Sequence, residues 1–177
     1  MVTRRLFSTR SALAAVIIAS VSYCSPASLP QQPAGPLVRL RAASFDPLSA
    51  PPTLPRELRS TEPAPRRPGY YIVQSTGPIR PEWLRQLEAA GAKLLDYLPD
   101  FAFIARLTPD KAKAVAKLSG VRWVGLLQAG LKIKPGLLAL KGSPVVRVCT
   151  FPGEDVHQVA SRLAALGGRV LRLSDSK

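Results

Sequence analysis

The residues able to do covalent chemistry are few and scattered. A nucleophile-and-base mechanism needs a serine or cysteine, a histidine to take its proton and an acid to orient the ring. The 177-residue chain has one histidine, His157. It falls early in a helical pattern and reads as a helix-surface residue. Cys24 and Cys149 are the only cysteines, and neither has a second Cys or His at ligand spacing. Cys149 falls in mid-strand, where a small apolar packing role suits it. Gly77, Gly91, Gly120 and Gly167 punctuate secondary structure and do not form a phosphate-cradling loop. No catalytic residue, cofactor or metal ligand is therefore expected, and the chemistry to look for is binding.

The elements that would present a binding surface lie between Tyr70 and Gln128. Tyr70 to Gln74 is a β-branched and aromatic run. A turn at Gly77-Pro78 leads into a helix with Trp83, Leu84, Leu87 and Ala90 on one face, closed by Gly91. Two strands, Lys93 to Leu98 and Phe101 to Leu107, join through Pro99-Asp100 as the central pair of a tight turn. Thr108 caps a second helix, with Pro109 at its first position and Ala112, Val115, Ala116 and Leu118 facing inward. Val121 to Leu127 forms the last strand. The order β-α-β-β-α-β predicts an α+β fold, a ferredoxin-like split βαβ sandwich over residues 69–135.

That order serves many activities, so the particular residues matter. YYIVQ, GPI, W...L...GA, LDYLPDFAFIARL and VRWVG followed by K-I-K-P resemble the N-terminal pro-region of secreted subtilisin-like serine proteases. In that family a small ferredoxin-like domain assists folding of the protease and then blocks its active site. The resemblance implies a protease catalytic domain as partner, in cis or in trans. It transfers no catalytic residue, because the chain has no D-[ST]-G, H-G-T or G-T-S-M-A phrase.

Alternation divides the strands into two sets, Tyr71, Val73, Phe101, Phe103, Val121 and Trp123 against Tyr70, Ile72, Ala102, Ile104, Arg122 and Val124. Both sets are largely apolar. A sheet with helices on one face would then leave an apolar patch on the other for a partner to cover. Tyr71, Phe101, Phe103 and Trp123 are the candidate sheet contacts. By the resemblance, Gln128 to Pro135 would lie extended in the protease cleft, making Gln128, Leu131 and Ile133 the tail contacts. Phe101 and Phe103 also have the two-residue spacing of RNA-recognition modules, but the K/R-G-F/Y-G/A-F motif is absent. No nucleic-acid partner is expected.

The flanks complete the organisation. Residues 1–24 read as an export signal, with Arg4, Arg5 and Arg10 before a short apolar core. Arg4, Arg5 and Phe7 also fit the twin-arginine pattern. Cys24 follows Tyr23, too bulky for a good lipoprotein box. These features predict a secreted, periplasmic or cell-envelope location without a membrane span. Residues 25–68 hold 11 of the 18 prolines and read as an extended, disordered linker. The net charge of +14 is scattered and reads as solvated surface.

A shift of 76 residues places Gly77 on Gly153, Leu87 on Leu163, Gly91 on Gly167 and Leu95 on Leu171. Residues 144–177 are thus expected to be a partial βαβ second copy. Two readings follow from the whole chain. One is a non-catalytic front part of a subtilisin-like protease precursor, acting as folding assistant and inhibitor. The other is a free-standing exported ferredoxin-like module that binds protein or inhibits a protease.

Overall fold

Seven residues, Gly69–Ser75, form the strand on which the other elements of the computed structural model assemble. The structure describes residues 35–174; the export-signal residues Arg4, Arg5, Phe7 and Cys24 lie outside them, as do residues 25–34 of the expected linker. In chain order the elements are β1 (Val38–Arg39), β2 (Ser44–Phe45), β3 (Gly69–Ser75), α1 (Pro81–Ala89), β4 (Lys93–Leu98), β5 (Ala102–Leu107), α2 (Pro109–Val115), β6 (Val121–Leu126) and α3 (Val156–Ala165). The fold is α+β, with two antiparallel sheets and three helices among the described residues.

The larger sheet runs β4-β5-β3-β6. β3 and β4 are separated by β5, so the first β-α-β passes over one strand. The sequence explains both helices locally. Pro81 and Pro109 sit in the first turn, where their missing N–H groups cost nothing. Gly91 (φ 85°) ends α1, with the Gly91 and Ala92 N–H groups returning to Glu88 and Leu87 carbonyls. Trp83 and Leu87 from α1 and Ala112 and Val115 from α2 pack on Tyr71, Val73, Ala105 and Leu107. That core lies between the helices and one sheet face.

The β4–β5 connection differs from the expected one. The register pairs Leu98 with Ala102, so the loop has three residues, Pro99, Asp100 and Phe101, and Asp100 (60°) and Phe101 (65°) both have positive φ. Positive φ is the left-handed region, which favours glycine. An L-residue there costs roughly 1–2 kcal/mol. Phe101→Gly should therefore raise the thermal midpoint, by about 1 kcal/mol of stability. A lower midpoint would mean that packing of the Phe101 ring outweighs the backbone strain.

Four other expectations fail. Residues 35–68 are not a solvated linker: β1 and β2 pair with each other, and Val38 and Phe45 are buried against the sheet face opposite the helices. Proline content alone missed this because the apolar anchors are few and far apart. Residues 128–135 do not run extended. Ala129–Lys132 is a turn of 3-10 helix, and Leu131 is buried. Residues 144–174 contain α3 but no strand, and Cys149 is exposed, not packed.

Candidate binding surface

The sheet face expected to be open is covered by the chain itself. Ile72, Leu98, Ala102 and Ile104 on the sheet pack with Val38, Phe45, Leu127 and Leu131, and with the partly buried Leu54 and Phe151. The β1–β2 strap has no backbone ladder with the larger sheet. It is held by side chains instead. Their centre is Gln74, which is fully buried in mid-strand.

Gln74 Nε2 donates to the Pro36 carbonyl (3.1 Å), and its Oε1 accepts from Arg122 Nη1 (2.9 Å). Arg122 Nη2 donates to Asp46 Oδ1 at 2.7 Å, and the two side chains are 13% and 5% exposed. A β-bulge creates this arrangement. Gln74 faces Trp123 while Ser75 faces Val121, so Arg122 is the extra residue. The bulge changes the expected alternation. Val121 and Val124 pack on the helix side, and Trp123 packs under the strap. At the hairpin end, Arg39 Nε donates to Asp100 Oδ2 at 2.6 Å.

The Arg122 guanidinium and the Leu48 backbone N–H hold the Asp46 carboxyl below its ordinary value of 3.8. A lowered native pKa contributes stability above the unfolded value, and that stability is lost as pH falls through the native value. Urea unfolding followed from neutral pH to below 3.8 should show an acid-dependent loss that Asp46→Asn abolishes. An identical pH profile in the variant would remove the ion pair from the account.

The tyrosines at the start of β3 carry opposite shifts to Asp46. Burial first, then the Glu154 carboxylate that accepts from its hydroxyl, pushes Tyr70 from 10.0 up to about 12. Burial first, then Glu62, raises Tyr71 as well. Phenolate absorbance should show both ionising above the ordinary value of 10.0. Their stabilisation holds below the ordinary value of 10.0 and is lost as pH rises through the raised one.

The seven candidate contacts do not form one surface. Tyr71 is core on the helix side, and Phe103 packs there with Tyr97 (5.3 Å, edge-on) and Trp83 (6.4 Å). Phe101 is half-buried at the hairpin turn, and Ile133 is half-buried beyond the 3-10 turn. Trp123, Gln128 and Leu131 do converge, on a shallow groove of about 330 Å³ shared with Phe45, Pro51 and Leu54. Phe45 meets Trp123 edge-on at 6.3 Å, and Gln128 Oε1 accepts from the Ser60 N–H at 2.7 Å. Such a groove can seat an apolar side chain.

Sequence reasoning missed Asp46, Gln74 and Arg122 as a set. The available signal was a pair of polar residues in otherwise apolar strands. Asp155, at the N-cap of α3, and His157 and Ser161 within it make backbone contacts and no hydrogen bonds to one another's side chains. Asp155 Oδ1 accepts from the His157 and Gln158 backbone N–H groups as an N-cap, and Ser161 Oγ donates to the His157 carbonyl. Among the described residues no group of three or more His, Cys, Asp or Glu is placed to hold a metal ion, and no helix is long and apolar enough to cross a membrane.

Comparison with known proteins gives one family. The family described as Domain of unknown function (DUF8729) matches residues 39–128, from β1 to just past β6. No curated protein and no solved structure matches the chain.

Proposed function

We propose that this chain, which belongs to that family of unknown function, is a non-catalytic pro-region of an exported subtilisin-like serine protease, acting as folding assistant and inhibitor. The observation that carries the reading is where the resembling phrases fall. YYIVQ lies on β3, W...L...GA on α1 and its glycine cap, LDYLPDFAFIARL on the β4–β5 hairpin and VRWVG on β6. These four strands form one antiparallel sheet in the order β4-β5-β3-β6, which supports a ferredoxin-like split βαβ sandwich. The groove at Trp123, Gln128 and Leu131 is the natural contact for an apolar side chain of the protease.

The test is inhibition and refolding in trans. The full chain should inhibit members of a panel of subtilisin-like proteases and raise the refolding yield of their mature domains. Trp123→Ala should weaken the inhibition while the circular dichroism of the sheet persists. A full chain with no effect on either activity or refolding would sink the reading.

One observation favours the second reading, a free-standing exported binding module. The strap already buries the sheet face that a pro-region would offer its protease, so this unit needs no partner to cover its core. A sharp thermal transition, unmoved by any protease of the panel, would decide for that module.

A further inference from the structure

Nine of the eleven large hydrophobic residues exposed among the described residues fall between Leu138 and Leu173. They include Val145 (81% exposed), Val146 and Val148, in a run that has strand composition but no strand partner. The same molecule has an unguarded strand edge. The two outer strands of the larger sheet are β4 and β6. β4 is protected: Lys93 and Asp96 are exposed on it, and its register breaks between Leu94 and Tyr97. β6 pairs only with β3 and contains no lysine or proline. Its one charge, Arg122, is turned inward onto Asp46.

We propose that residues 145–149 of one copy add as a strand to the outer edge of β6 in a second copy. Strand addition needs three things: an open edge, an extended donor, and a pocket for alternate side chains. The groove beside Trp123 and Leu126 on β6 is that pocket, and a valine of the donor is the side chain it receives.

The donor is held at one end. Phe151 stacks on Tyr70 at 4.3 Å, and Glu154 accepts from the Tyr70 hydroxyl and pairs with Arg106 at 3.6 Å. At its other end the chain from Pro135 to Val145 spans at most about 33 Å. Cys149 is two residues from Phe151, so the donor is presented within about 7 Å of its own copy's anchored end, and the edge of the second copy comes to it. Each copy carries one donor and one edge, so reciprocal exchange closes a two-fold dimer, and unreciprocated exchange builds an open chain. This inference goes beyond the protease reading, and the donor valine would compete with a protease side chain for the one groove.

The experiment is sedimentation of the full chain under reducing conditions, which excludes disulfide-linked species. A twofold rise in mass with concentration, or growth along an open chain, is expected. A synthetic peptide of residues 144–150 with serine at position 149 should compete and lower the mass. The variant Arg147→Pro/Val148→Pro should lose the larger species, because N–H groups alternate along a strand and one of the two lies on the pairing side. Its near-ultraviolet circular dichroism should match the parent, because Arg147 and Val148 are both exposed. A chain that stays monomeric, or a larger species that survives both the peptide and the double proline, overturns the proposal.

Discussion

A chain that starts at Gly69 should lose its cooperative unfolding transition. The truncation removes Val38 and Phe45, which are 0% and 7% exposed. Burying two such side chains is worth about 3–6 kcal/mol, a large part of the 5–15 kcal/mol typical of a whole domain. It also uncovers Ile72, Ile104, Leu98 and Leu127. Gln74 would lose the Pro36 carbonyl, and Arg122 would lose its carboxylate. Urea melts followed by circular dichroism, with dye binding as a report of exposed apolar surface, check this. A truncated chain that melts as steeply as the full one would make residues 35–60 an accessory.

This expectation reverses what proline content suggests, and the reason is physical. Disorder follows from too little apolar surface to offset ordering entropy. That balance is struck over the whole fold, not within one segment. The strap buries little by itself, but the sheet face beneath it is apolar, so a few anchors suffice. The family match beginning at residue 39 places its start inside this segment as well.

The split β-α-β-β-α-β order was legible because both periodicities are clean and each helix has a proline at its start. The C-cap at Gly91 was legible for the same local reason. What was not legible depends on contacts distant in sequence. The bulge at Arg122 goes with a contact to Asp46, 76 residues earlier, which accepts from its guanidinium. The Asp100-Phe101 turn is set by the β4–β5 register, and no glycine advertises it. In residues 144–174 the repeat predicted the helix and its cap. Gly167 (φ 87°) and Gly168 return N–H groups to Ala164 and Leu163, as Gly91 and Ala92 do to Glu88 and Leu87. The flanking strands need a partner strand to exist as strands, and local sequence cannot supply one.

The burial of Leu131 changes what a mutation in the 128–135 segment would report. An extended, cleft-binding tail would let Leu131 be replaced with no effect on the fold. In the structure Leu131 is 6% exposed, its N–H donates to the Gln128 carbonyl at 3.1 Å, and its side chain packs with Val38, Phe45 and Ile72. Leu131→Ala should therefore destabilise the domain by about 2–5 kcal/mol, the cost of a leucine-sized cavity. Ile133→Ala, at a half-buried position beyond the turn, should cost less. Urea midpoints of both variants, compared at constant slope, make the measurement. Equal and negligible losses would return the segment to solvent and restore the extended tail; a large loss at Leu131 alone fixes it as part of the cover over the sheet.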